Sequence, residues 1–473
     1  MGKAAGLTEF LIEHEKKEPV SFHMPGHKGR DFLYRKYGYG KFFDNIMARD
    51  ITEISGADML NSPKGKILEI MEKYAELYGA EYTDILVNGS STGVVAAILT
   101  SVKRKGKLIL GRNSHISAFN AMRLGEIKPV YINTEINHYY NLQGGISADE
   151  VEKAIIENDD AEAVFITSPN YYGVFSDISE IAERVHRYGK ILIVDQAHGA
   201  HVKFFDSFFE KKKAAENCGA DIVIDSIHKT LLSFTGGAII NVFTDRVNKD
   251  VLATTIRMLQ TTSPSYLIMA SLDMNAEIMR KGGQEIIKEW IDNLDFFYKK
   301  SRNIIGLKTV IGDDIDLTKI NISMSELGLS GRQLEKELRY HGVWCEMTHG
   351  DYVMMMTGAG NERSDYEYTL KILAGIANQY GITVKKEKET EPAATFDLEM
   401  RDIPLKKEKI SFFNAEGRVL YDVLVPFPPG VPVACPGEVL NYDILSYIHR
   451  CISAGETIIG IDDEGKINVG MED

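Results

Sequence analysis

From about residue 67 the chain alternates between two periodicities, and this alternation constrains its fold more than any other feature. "KILEIMEKYAELYGA" places Ile67, Ile70, Met71, Tyr74 and Leu77 at helical spacing, with Gly79 to end the pattern. "TDILVNGSSTGVVAAILTSV" gives a short strand, a turn rich in glycine and hydroxyls, and a second helix. "KLILGRNSH" is a strand and a loop. "EAVFITSPNYYGVFSDISEIAERVHRYGKILIVDQAH" runs strand, loop, helix, strand, and Asp177, three positions before Glu180, marks the helix start. The strands are near-continuous apolar runs, which read as covered on both faces. The pattern predicts an α/β fold with a mainly parallel sheet between layers of helices.

At 473 residues the chain exceeds one ordinary core, which predicts two or three domains. We divide it into an N-terminal segment (1–60), a large domain (61–300) and a smaller α+β C-terminal region (301–473). The polar run 385–410 reads as a solvated linker, and the proline-rich stretch beyond it as a rigid loop that packs on something. In "LQTTSPSY", Ser263 before Pro264 reads as a helix N-cap followed by proline at the first helical position.

A hydrophobic fraction of 44% and a charged fraction of 26% fit a soluble globular protein, and a net charge of −14 argues against nucleic acid or an anionic membrane as partner. No apolar stretch has membrane-spanning length, and the N-terminus lacks the uninterrupted apolar core of a signal peptide. Four scattered cysteines without metal-ligand spacing fit a reducing cytoplasm, where we expect the protein to reside.

Chemistry-bearing residues gather at strand ends. In "DIVIDSIHKTLLSFTGGAIINV", Lys229 lies on a short connection between two core strands, preceded by Ser226 and His228. An amine shielded there has a lowered pKa and can form a Schiff base with an aldehyde, which predicts a lysine for pyridoxal phosphate (PLP). "NGSSTG" (88–93) opens a helix, so its N–H groups, with Ser91 and Thr92, are candidates for a phosphate; a simple cap is the commoner fate of such a turn. Asp195 ends the strand "ILIV", either as a turn residue or as partner for a pyridinium nitrogen. His198 and His201 follow as HxxH, but the metal reading is the weaker one because a zinc site needs a further ligand. His115, in the loop after "KLIL", is either a solvated histidine or a flat ring placed against an aromatic cofactor.

The order of phosphate turn, ring, strand-end aspartate and strand-end lysine resembles the fold-type I PLP enzymes. The blocks "FHMPGHKGR" (22–30), "ITEISGADML" (51–60), "NGSSTG", "RNSH" (112–115), "DQAHGAH" (195–201), "SIHK" (226–229), "TTSP" (261–264) and "VPFPPGVPVACPGE" (425–438) resemble the Orn/Lys/Arg decarboxylase family, in its short form without an N-terminal wing domain. That resemblance implies roles: Lys229 carries the cofactor, Asp195 faces its pyridine nitrogen, and His115 stacks on its ring. Ser91, Thr92, Ser226 and His228 lie by its phosphate, and Thr261 reaches the phosphate from a neighbouring subunit. The implied assembly is therefore a homodimer or larger homo-oligomer. Two positions depart from the long forms. His198, within the cofactor set, stands where they place tryptophan, and Ile227 where they often have threonine.

The implied reaction is decarboxylation of arginine, lysine or ornithine, with Lys229 or His228 returning a proton to Cα. Glu346 and Glu438 are the candidate partners for the substrate's distal cation. Rival readings are another fold-type I reaction, such as transamination or aldol cleavage, and a PLP-binding protein without turnover. Against transamination, no arginine is clearly placed to hold an α-carboxylate.

Overall fold

The computed structural model describes residues 6–137, 140, 142–380, 398–401, 406–427, 431–453 and 457–471. Most of the expected linker 385–410 and part of the proline-rich loop lie outside them. Seven strands form the central sheet: β1 (Tyr82–Leu86), β2 (Lys107–Gly111), β3 (Lys128–Ile132), β4 (Ala163–Thr167), β5 (Ile191–Asp195), β6 (Ile222–Asp225) and β7 (Ala238–Val242). Their spatial order is β1-β7-β6-β5-β4-β2-β3. Only β7 runs antiparallel to its neighbours, so the other six strands all end at one edge. The alternation read from the sequence is this sheet. β7 returns antiparallel to β6 after a link, 226–237, that holds a single helical turn, Ile227–Thr230.

Helices flank both faces. α1 (Lys66–Tyr78) buries Ile67, Ile70, Met71 and Tyr74, as their spacing requires, and stops at Gly79 with φ +73°. α2 (Ser90–Ser101) follows β1 through Gly89, whose φ of +80° turns the chain into the helix. Gly93 lets α2 approach the sheet, since a Cβ there would meet Leu86 Cδ1 at 2.7 Å. α3 (Ile116–Gly125) follows β2.

The 36-residue α4 (Tyr266–Ser301) runs from the large domain into a four-stranded antiparallel sheet containing Lys319–Ser323 and Tyr352–Met356. One core is continuous across this junction, including Tyr74, Leu272, Trp290, Ile320, Leu334 and Tyr366. The start of α4 corrects the sequence reading. Its N-cap is Ser265, whose Oγ accepts from Ile268 N–H, so Ser263 and Pro264 precede the helix instead of opening it. Residues after 398 build a separate small core around Leu420, Leu424, Ile444 and Ile448.

The N-terminal segment is stitched into the rest. Val20–Phe22 pairs with Val343–Cys345, and Gly26 N–H donates to His228 O at 2.7 Å. A Cβ on Gly26 would lie 2.4 Å from Leu231 O, which explains the glycine in "HMPGHKG".

Candidate active site

The common edge of the six strands collects the candidate residues. Thr167 and Asp195 are paired in register at the ends of β4 and β5, and Asp195 also pairs with Ile224 of β6. Ser226 through Lys229 continue from β6, His115 follows β2, and the N-terminus of α2 follows β1. One edge therefore holds Ser91, Thr92, His115, Asp195, His198, Ser226, His228 and Lys229. Thr261 stands apart: it is exposed in the connection before α4, where its Oγ1 accepts from Ser263 N–H at 3.1 Å.

Lys229 is partly accessible yet densely enclosed. Burial lowers its pKa from 10.5 to about 8, against the opposing charges of Asp195 and Glu346. Burial raises the Asp195 carboxyl, offset by Lys229 and by the Ala197 N–H that donates to its Oδ1 at 3.0 Å. A cation brought beside Asp195 would favour its charged form.

Three histidines surround this pair. Burial, then the charge of Lys229, lowers His115 to about 4. His115 Nδ1 accepts from Ser117 N–H at 3.3 Å, which leaves the ring proton of the neutral form on Nε2. Burial likewise holds His228 at about 4, and its Nδ1 lies 2.9 Å from Gly237 O. A carbonyl only accepts, so neutral His228 carries its proton on Nδ1 and has none at Nε2. His198 packs edge-on against Tyr171 at 4.8 Å and is held far below its ordinary pKa, first by burial and then by Lys229.

The edge is also rich in unmatched polar atoms. Asn113 Oδ1, Thr134 Oγ1, Thr167 Oγ1, His198 Nδ1, Ser226 Oγ and Thr230 Oγ1 are buried without a hydrogen-bond partner among the described residues. Buried polar atoms are ordinarily paired, so such a concentration at one sheet edge marks a place built for a polar ligand. The residues present suit PLP: an amine, a carboxylate, a flat neutral ring, free hydroxyls and the N-terminus of a 12-residue helix.

The two carboxylates considered for a distal cation differ sharply. Glu438 is not available. Arg112 Nε and Nη2 hold its two oxygens at 3.0 and 2.8 Å, and Cys435 N–H donates to it at 2.7 Å. Its burial required a partner, and Arg112 supplies one. Glu346 takes one bond, from Met24 N–H to Oε2 at 2.8 Å, and sits within electrostatic reach of Lys229.

Sequence reasoning missed two buried lysines near Glu346. Lys28 Nζ donates to His23 O at 2.6 Å and Met356 O at 2.8 Å, and burial lowers its pKa to about 7. Lys319 Nζ bonds Asp316 at 2.8 Å and also His198 O. "HMPGHKG" was the signal for the first, legible as a turn without its partners; "TKINIS" gives none for the second. His201 of the HxxH pair turns away to Asp316 and Thr318. No group of three or more His, Cys, Asp or Glu suited to a metal occurs among the described residues.

This fold and edge define a fold-type I PLP enzyme. The model of the Orn/Lys/Arg decarboxylase major domain matches residues 5–321, and that of the family's C-terminal domain matches 378–465. The chain belongs to the Orn/Lys/Arg decarboxylase family, and is a PLP-dependent carbon–carbon lyase that decarboxylates a basic amino acid. It is similar to an arginine decarboxylase of Bacillus anthracis, at 30% identity over 97% of this chain and 95% of that protein. It is similar to a lysine decarboxylase of Hafnia alvei at 22% identity, over 96% of this chain and 76% of that protein. The solved constitutive lysine decarboxylase of E. coli superposes with a TM-score of 0.75 at 19% identity, over 98% of this chain and 81% of that one.

Proposed function

We propose that the substrate is L-arginine, converted to agmatine and CO2, with Lys229 as the central catalytic residue. The similarity to an arginine decarboxylase along nearly the full length of both chains carries the choice of substrate. Bound PLP supplies an electron sink for the bond broken at the substrate's Cα.

The chain's residues supply the rest. Lys229 would hold the cofactor covalently, Asp195 would keep a positive charge on its ring nitrogen, and His115 would stack on its ring. His198 closes the pocket beside Tyr171. Ser91, Thr92, Ser226 and the His228 segment would hold the phosphate, assisted by Thr261 of a second subunit in a homodimer or larger assembly. Glu346 receives the distal guanidinium. Arg112 is committed to Glu438, and Arg30 to Asp365 at 2.8 and 2.7 Å, so neither guanidinium is free to clamp an α-carboxylate. A poorly solvated carboxylate favours loss of CO2. Lys229 Nζ then returns the proton to Cα, because neutral His228 has its proton tied to Gly237. The protein acts in the cytoplasm.

Incubating the PLP-loaded protein separately with arginine, lysine and ornithine, and identifying the amines by mass spectrometry, tests the proposal. Agmatine as the dominant product supports it; cadaverine or putrescine as the dominant product reassigns the substrate.

A further inference from the structure

Arg112 lies three residues before His115, and every hydrogen bond of its guanidinium goes to the C-terminal unit. Its Nη1 donates to Pro432 O at 2.6 Å and Nη2 to Val433 O at 2.9 Å, beyond the two bonds to Glu438. The pair is nearly closed to water, with side-chain exposures of 7% for Arg112 and 3% for Glu438. The guanidinium also lies 5.4 Å from the Tyr131 ring centroid, and neighbouring Cys435 is packed into the core beneath β2 and α3. Beyond His115, Arg123 of α3 reaches Asp422 at 2.5 Å. Two links to the C-terminal unit thus flank the His115 loop.

The backbone of the loop is tied to β3 and α3 through Arg112 N–H to Ile132 O and Ala118 N–H to His115 O, but its other side-chain bonds are local. Ser114 bonds only to Gly111 among the described residues, and the His115 ring bonds only to Ser117. A planar fork with four bonds fixes direction as well as distance, which a lysine or an apolar contact does not. Apolar residues of similar volume can replace a buried ion pair without loss of stability, so the pair's distinctive contribution is orientation.

We propose that Arg112 and Glu438 are positioning residues through which the C-terminal unit holds the His115 loop against the cofactor. This rests on the reading that His115 lies on the cofactor ring. The small C-terminal core then completes the cofactor site from behind, without touching substrate.

The test compares PLP-reconstituted His115→Ala with the double variant Arg112→Met/Glu438→Met, which removes both buried charges and keeps the volume. Visible circular dichroism of the bound cofactor and PLP affinity are measured, with thermal melting as the fold control. Both variants should lose cofactor dichroism and bind PLP up to about tenfold more weakly, the upper scale of one lost ring-stacking contact, and the double variant should melt close to wild type. If the double variant does not fold, Arg112→Lys, which keeps a buried charge but loses the fork, is held to the same two readouts. A folded clamp variant with wild-type dichroism and affinity, beside an altered His115→Ala, overturns the clamp alone. A silent His115→Ala overturns the stacking reading, and the clamp with it.

Discussion

Met24 N–H donates to Glu346 Oε2 at 2.8 Å, joining the N-terminal turn to the small antiparallel unit beside Lys229. The bond fixes the carboxylate and engages one of its two oxygens. If Glu346 receives the guanidinium, Glu346→Gln should raise KM for arginine at least tenfold, since a hydrogen bond to a charged group is worth about 1.5–3 kcal/mol. The amide can still accept from Met24, so melting should change little. Steady-state kinetics decide this, and an unchanged KM would remove Glu346 from the substrate site.

Asp195→Asn should still bind PLP and lose most of its turnover. The phosphate contacts remain, while the ring nitrogen loses the partner that holds its charge, and that charge acts on the reaction's developing carbanion. Full activity in this variant would place the protonating group elsewhere.

The site's histidines predict acid lability. Burial, first among the causes, holds His115 and His228 at about 4 against an ordinary 6.5, and does the same to His27 of the N-terminal turn, which lies within electrostatic reach of His228. Between those values the unfolded chain binds protons that the folded one does not. Their contribution is therefore present above pH 6.5 and lost as pH falls through about 4. Lys229 acts at the other end, where apo-protein stability should rise between about 8 and 10.5 as the penalty for its buried charge disappears. Melting of the apo protein against pH measures both. His115→Asn should flatten the acid limb, and an unchanged slope would contradict the depressed pKa.

Thr261 is exposed in the single chain, as a residue that serves a neighbouring subunit's phosphate site should be. Mixing inactive Lys229→Ala chains with inactive Thr261→Trp chains should restore part of the activity, because one of the two sites in a mixed dimer is intact. A monomer fully active under assay conditions in sedimentation would refute the shared site.

Strand ends were the legible part of this chain. Apolar runs that stop at Asp195 or Asp225 announce where the sheet edge lies, and a parallel sheet delivers those residues to one side. Local turn chemistry was less certain: two serines flank Pro264, and only the structure shows that Ser265 caps α4. Long-range pairing was not legible. Glu438 looked as available as Glu346 because nothing in "CPGE" names Arg112, which lies 326 residues away. Lys28 and Lys319 were missed for a similar reason: Met356 O, which fixes Lys28, lies 328 residues away and His198 O, which fixes Lys319, 121 residues away, although Asp316 is only three residues from Lys319.

Those two lysines make the central claim sharply testable. Lys28, at about 7, has an even lower pKa than Lys229, at about 8, so acidity alone does not select the cofactor lysine. Geometry does: Lys28 is bonded to two carbonyls and Lys319 to Asp316, while Lys229 Nζ makes no hydrogen bond among the described residues and Lys229 is partly accessible. Borohydride reduction of the PLP-loaded protein, followed by peptide mapping, should place the pyridoxyl group on Lys229. Lys229→Ala should keep its fold, take no label and have no turnover. A label on Lys28 or Lys319, or turnover surviving in Lys229→Ala, would contradict the account.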